Sequence, residues 1–469
     1  MLSIPYAFYK RFTHLVIALM VFAAGVTGSA LNALLTLRIA FGSLIILAFL
    51  RYHYALLLVW ALTNAFIGSS IPVFNGNNLL SGLTIPTILL LFCLPTRQAF
   101  ERMKALPVLL FYVLWVLPGI GVSPISITDF VVAWTLRLTY VAVGVLTICT
   151  ITTRQRLLRL IDATLLPAIV IALYGIYGYF TRQNGISDPQ TGFFRTGSIF
   201  GIPPTLAMFL SIIIPLALYR TLTLPGLKRL IGIAVVLLLL VTLGLTYSRG
   251  PLIFVPISIV VMVIFLPSWK LKAVVFGSLA MGLLIAVNTS IMTRFLNQDL
   301  STLNGRTYLW HAVLDHFDPA QLLGKGLQSS DLLLFNLKVG VGQGIIATAT
   351  HNVLLEVLYE QGLIGLTFLV LAFIVLLVAL FKRWRTATTE RRMIIAMALG
   401  IFCSVLGQSL ESNDIWNQAI GIYFWIAMAL PFAFCWSQHA YTNRMGQVTA
   451  CSGGCNRECN IPEAAYRGA

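Results

Sequence analysis

The chain has 469 residues, 58% of them hydrophobic and only 10% charged, with a formal net charge of +16 and a mean hydropathy of +0.90. Soluble domains carry about a quarter of their residues as charges, so this balance excludes an ordinary soluble fold and indicates a polytopic membrane protein. The basic excess does not indicate a nucleic-acid partner, because the lysines and arginines are dispersed between apolar runs and form no basic domain.

A bilayer core about 30 Å thick takes roughly 20 apolar residues per helical span. The runs here are continuously apolar, not alternating, which argues against barrel strands. The expected fold class is all-α: a polytopic integral membrane helical bundle of 12–14 transmembrane helices with one large extracytoplasmic loop. Candidate spans are 15–36, 39–50, 54–72, 79–95, 105–120, 129–150, 158–180, 198–219, 230–246, 251–267, 271–289, 352–380, 393–410 and 416–436. The apolar start, flanked by Lys10 and Arg11, is followed by further spans and reads as an uncleaved first helix.

With the N-terminus inside, alternate connections hold Lys10 and Arg11; Arg51; Arg97, Arg102 and Lys104; Arg154, Arg156 and Arg159; Arg220, Lys228 and Arg229; Lys270 and Lys272; and the group from Lys382 to Arg392. Cytoplasmic connections carry such an excess. Both termini are therefore expected in the cytoplasm, and the long polar interval 290–351 outside. The chain divides into helices over 1–289, the outer loop 290–351 with short helices, helices again over 352–436, and a polar cytoplasmic tail at 437–469 expected to be disordered. Of the seven cysteines, none lies in the outer interval, so no disulfide framework is indicated there.

Three arginines fall on the outer side in separate loops: Phe194-Arg195-Thr196-Gly197, Tyr247-Ser248-Arg249-Gly250 and Asn304-Gly305-Arg306-Thr307. Each could be an interfacial anchor. Together, their planar donor forks match the oxygens of a diphosphate. His351, titrating near neutrality at the head of a span, suits a general base. Glu360, four residues after Glu356, is expected to be a structural group buried against a neighbouring span. Arg137 lies inside a span and is a functional charge, a buried pair, or a side chain that snorkels to the membrane surface. Glu411 and Asp414 fall on the outer face, where they could complement the arginines or bind sugar hydroxyls. His311, Asp315, His316 and Asp318 have a spacing compatible with metal ligation but read equally as a solvated helix face, and no metal or cofactor is assigned.

The stretch Asn304-Gly305-Arg306-Thr307-Tyr308-Leu309-Trp310, then Leu323-Gly324-Lys325-Gly326, then His351-Asn352 with Leu355, Glu360, Gly362 and Gly365, resembles the signature of the O-antigen ligase and O-antigen polymerase family. The motif block covers about 245–365, and Arg195 and Arg249 resemble the family's other arginine sites. The resemblance implies a GT-C-like glycosyltransferase of the bacterial inner membrane, independent of metal. Its expected partners are an undecaprenyl-diphosphate-linked glycan donor, a lipid or glycan acceptor and membrane lipids. It further implies that His351 activates the acceptor while Arg195, Arg249 and Arg306 hold the diphosphate, in assembly of O-antigen, capsule or exopolysaccharide. A protein O-oligosaccharyltransferase uses the same apparatus. A transporter or flippase of lipid-linked sugars is the alternative of another class; such proteins place charges at the bilayer midplane, often between inverted repeats.

Overall fold

The computed structural model describes residues 47–66, 76–187, 192, 194–265, 269, 306–318, 322–338, 349–412 and 414–433. The expected spans 15–36 and 271–289, nearly all of 39–50, the tail and much of the interval 290–348 lie outside these residues.

In chain order the helices are α1 His53–Thr63, α2 Gly76–Cys93, α3 Thr96–Arg102, α4 Ala105–Trp115, α5 Ile127–Thr150, α6 Arg154–Thr181, α7 Pro203–Thr223, α8 Lys228–Leu245, α9 Arg249–Ile264, α10 Arg306–Asp315, α11 Ser329–Asn336, α12 Val353–Thr386, α13 Thr389–Ser409 and α14 Gln418–Ala429. Between α6 and α7, strands β1 Gly185–Ser187 and β2 Phe194–Thr196 form an antiparallel hairpin. The chain is thus an all-α membrane protein. Among the described residues α5, α6, α7, α8, α12 and α13 are long and apolar enough to cross a bilayer, and Leu83–Cys93 with Thr96–Arg102, bent by 89°, makes a possible seventh span.

Local chemistry explains where the helices start. Ser126, Thr153, Asn352 and Asn417 accept from backbone amides of the following turn and so cap α5, α6, α12 and α14, while Pro203 opens α7 where no amide donor is needed. Inside the bundle the hydroxyls of Thr139, Thr147, Thr164, Ser211 and Thr221 donate to carbonyls four residues back, which hides them from an apolar environment.

The interior is built on α7 and α13, whose apolar windows are 83% and 78% buried, whereas α8 is only 22% buried and presents its face outward. α13 packs against α9 at backbone distance. A Cβ at Gly400 would lie 2.6 Å from the Ser258 carbonyl oxygen, and one at Gly407 would overlap the Phe254 ring. Small residues permit this close approach, which dispersion forces reward where no hydrophobic driving force separates helix from lipid.

The basic connections expected on one side do meet at one end of the bundle. Arg220 makes a forked contact with Asp162 at 2.6 and 3.0 Å, Arg154 pairs with Glu390, the Tyr54 hydroxyl donates to the Arg156 carbonyl, and Arg383 donates to the Arg102 carbonyl. The hairpin, the α8–α9 turn, α10, α11 and the start of α12 lie at the other end.

The expected span 352–380 is a longer helix with a break. Gly362 adopts φ 70° and ψ −175° inside it. The carbonyls of Tyr359 and Glu360, deprived of helical partners, accept instead from the amides of Lys325 at 3.0 Å and Gly326 at 2.8 Å. A Cβ on Gly362 would fall on the Leu322 carbonyl, and one on Gly324 on the Gly362 amide. The motif glycines Gly324, Gly326 and Gly362 therefore splice the polar interval into the broken helix. Gly362→Ala meets both a left-handed backbone and this overlap. It should cost about 1–3 kcal/mol of stability, read as a lower thermal-unfolding midpoint in detergent than that of Gly244→Ala, whose added Cβ meets nothing.

Candidate functional site

Arg195 sits on β2 opposite Ile186. The hairpin is anchored on α6 through Thr196 Oγ1, which donates to the Gly175 carbonyl at 2.8 Å, and Ser198 Oγ, which donates to that of Ile171 at 2.7 Å. From there Arg195 reaches the α8–α9 turn. Its Nε donates to the Thr246 carbonyl at 3.1 Å and its Nη2 to Ser248 Oγ at 3.3 Å. Ser248 is the cap position of α9 and Arg249 its first residue, so two guanidinium groups from distant parts of the sequence share one turn.

Arg306 opens α10, and its Nη1 lies 3.3 Å from Glu411 Oε2, with both side chains about a quarter to a third exposed. The same carboxylate oxygen lies 2.7 Å from where a Cβ on Gly250 would sit. Glu411 follows directly on α13, so the close α9–α13 packing delivers it to the start of α9 and it joins the Arg306 helix to the Arg249 turn.

α10 is held by a small cluster of its own, Leu309 and Val313 against Leu334 of α11 and Tyr359 of α12. Trp310 Nε1 donates to the Thr350 carbonyl at 3.2 Å. His351 follows, with φ at 51°, and Asn352 Oδ1 accepts from the amides of Leu354 and Leu355 at 3.0 and 3.2 Å. A non-glycine residue held in the left-handed region signals a conformation fixed by its surroundings. Burial, and second the charge of Arg306, push the His351 imidazole down to about 4, so at neutral pH the ring is uncharged and able to accept a proton.

Glu360 is buried, as expected, and its side-chain hydrogen bond comes from the polar interval: Ser330 Oγ, on α11, donates to Glu360 Oε1 at 2.8 Å. Next to Ser330, burial holds the Asp331 carboxyl up at about 6. Arg137 is buried in α5 within electrostatic reach of Glu356 and Glu360, which makes it a member of a buried charge group and not a surface-reaching side chain. The side chain of Asp414 lies outside the described residues. His311 and Asp315 of α10 and His316 just after it are exposed, and among the described residues no three His, Cys, Asp or Glu side chains are grouped to hold a metal ion.

Arg306 and His351 are thus neighbours, Glu411 bridges Arg306 to the Arg249 turn, and Arg195 is bonded to that turn. The sequence reasoning missed Trp416, which packs over Arg137; an aromatic residue near a helix start is too common a feature to stand out. It also read the motif glycines only as a signature, although a glycine inside a helical pattern is a known signal of a break.

Fold and site together define a polytopic helical membrane protein with a cluster of cationic side chains at one end of its bundle. Residues 234–370 match the family model described as O-antigen ligase, Wzy_C. This segment is under a third of the chain and contains Arg249, Arg306, His351 and Glu360; the match supports the O-antigen ligase/polymerase family, whose members are membrane glycosyltransferases in general. A search of curated proteins finds no match.

The lowered basicity of His351 can be checked directly. In folded protein its titration, followed by NMR with histidine-selective labelling, should centre near 4, and Arg306→Gln should move it part of the way up toward 6.5, since burial remains. A midpoint of 6.5 in the wild-type protein would show that the ring is open to solvent.

Proposed function

We propose that the protein transfers a glycan from an undecaprenyl diphosphate donor to an acceptor hydroxyl on the extracytoplasmic face of the bacterial inner membrane, with His351 as general base and Arg195, Arg249 and Arg306 as the diphosphate cradle. The observation that carries this reading is geometric: Glu411 joins Arg306 to the turn that holds Arg249 and receives Arg195, and α10, which Arg306 opens, is bonded through Trp310 to the residue before His351.

In the reaction, His351 takes the proton of the acceptor hydroxyl as its oxygen bonds to the anomeric carbon. The bond from that carbon to the diphosphate breaks, and the electron pair leaves with the lipid diphosphate. Negative charge accumulates on the leaving group, where three fixed cations lower its energy without reorganising. Arg249 at the start of α9 adds the amide-rich, positive end of a helix to the same place. Glu411 holds Arg306 in position before the donor arrives. The arginines supply the positive charge that a divalent ion supplies in metal-dependent transferases.

The two ends of the bundle support this orientation. The end that gathers Arg102, Arg154, Arg156, Arg220 and Arg383 is cytoplasmic by the bias of basic connections, which leaves the His351 end outside. The acceptor hydroxyl belongs to a lipid or to another glycan.

In proteoliposomes loaded with lipid-linked glycan and an acceptor, His351→Ala should abolish transfer while donor binding stays within about threefold of wild type. Arg249→Ala and Arg306→Ala should each lower kcat/KM by about 100- to 1000-fold and weaken donor capture, and lysine at either position should recover only part for want of the planar fork. Full transfer by folded His351→Ala would remove the assigned base, and unchanged donor affinity in the arginine variants would remove the cradle.

A further inference from the structure

Arg137 takes no part in the chemistry proposed above, yet it is a charge only 7% exposed near the middle of α5. An unpaired cation among apolar helices costs several kcal/mol, so its neighbours matter. Its guanidinium lies 5.0 Å from the centre of the Trp416 ring, and Nη1 donates to the Ala133 carbonyl at 3.2 Å. Nε makes no hydrogen bond among the described residues. Trp416 is itself held. Its ring stacks on Tyr112 at 5.7 Å and Tyr140 at 6.4 Å, and its carbonyl accepts from the Tyr140 hydroxyl at 2.9 Å. Glu356 and Glu360 of α12 both lie close enough for their charge to act on Arg137.

These partners come from the two segments that carry site residues. Trp416 lies five residues beyond Glu411, the partner of Arg306. Glu356 and Glu360 lie on the short stretch of α12 that starts directly after His351-Asn352 and ends at the Gly362 break. Because of that break, this stretch does not inherit its orientation from the long span behind it. Side contacts must set it: the Ser330–Glu360 hydrogen bond, Lys325 against Tyr359, and Arg137. A ring closes, from Arg137 through Trp416 to Glu411, across to Arg306 and its neighbour His351, and back through Glu356 and Glu360.

We infer that Arg137 is a positioning residue for glycan transfer: from inside the bundle it ties the segment bearing Glu411 to the short helix that His351 opens, and so sets His351 against Arg306. The inference rests on the transfer reading given above. Its physical content is that a catalytic group displaced by about 1 Å loses on the order of 100-fold in rate, while a donor pocket built from Arg195, Arg249 and Arg306 keeps its affinity.

The test compares Arg137→Met, Arg137→Lys and Trp416→Leu with wild type in the reconstituted transfer assay, alongside His351→Ala and Arg306→Ala, with rates taken per folded protein. Arg137→Met should lose about 100-fold in kcat with donor KM unchanged within about threefold. Arg137→Lys should restore most of the rate, since charge and stacking hold the guanidinium here and no forked hydrogen bond does. Trp416→Leu should show the same loss in kcat alone, and the double variant Arg137→Met/Trp416→Leu should be no slower than either single one, as expected of residues acting as one unit. Should Arg137→Met not fold, Arg137→Gln, which removes the charge but keeps a polar group of similar reach, takes its place in the same comparison. Wild-type kcat in Arg137→Met, a KM raised as in Arg306→Ala, or losses that multiply would each overturn the inference. If His351→Ala itself keeps full transfer, the reading beneath the inference fails instead, and the two failures are told apart.

Discussion

A guanidinium at the rim of an apolar bundle needs an anionic neighbour, and for Arg306 that neighbour is Glu411. The pair is half-wet, so its intrinsic energy is modest, but its geometric effect is large. It fastens the polar interval, through α10, to the end of α13. The packing of α13 on α9 through Gly400 and Gly407 then places the same carboxylate against Gly250, beside Arg249. Besides the ion pair, α10 is oriented by its apolar contacts with Leu334, Tyr359 and Leu355 and by the Trp310–Thr350 hydrogen bond.

The second constraint is the break in α12. A transmembrane helix that ran straight from His351 would satisfy its own carbonyls and leave the polar interval as a loose loop. By adopting a left-handed conformation at Gly362 the chain exposes two carbonyls and offers them to Lys325 and Gly326. Non-helical backbone is tolerated at membrane depth only where other protein groups satisfy it, and the interval does so here. The price of the break in helical hydrogen bonds is met by contacts that bring α10, α11 and the head of α12 into one unit. That unit presents His351 with its ring buried and uncharged next to a permanent cation; both factors lower its basicity, and an anionic diphosphate held against Arg306 would offset the cation's share.

Beneath this unit the charges are buried. Arg137, Glu356 and Glu360 are costly where they are, and their mutual placement offsets the cost. Charges placed inside a membrane bundle face one another or a functional centre; these act on one another.

Composition and the length of the apolar runs were enough to establish an all-α membrane protein, and the six described helices long enough to cross a bilayer each fall on a candidate span, because a span needs a minimum length of apolar helix. Charge distribution sorted the connections to two ends, and the arginine loops were legible as a group for the same reason: a basic residue opposed to the insertion bias stands out. That Glu411 could complement the arginines was legible, but that Arg306, 105 residues away, is the one it meets, and that Arg195 reaches Thr246 and Ser248, were not, since neither motif contains its partner. Nor was the use of Ser330 by Glu360, because a serine in a polar interval carries no mark of what it will bond. These contacts depend on which helices lie side by side, and that is decided by packing between α9 and α13 and by the break at Gly362. Local sequence specifies how long a helix is and which way it is capped, while the neighbours it will have follow only from how all the surfaces fit at once.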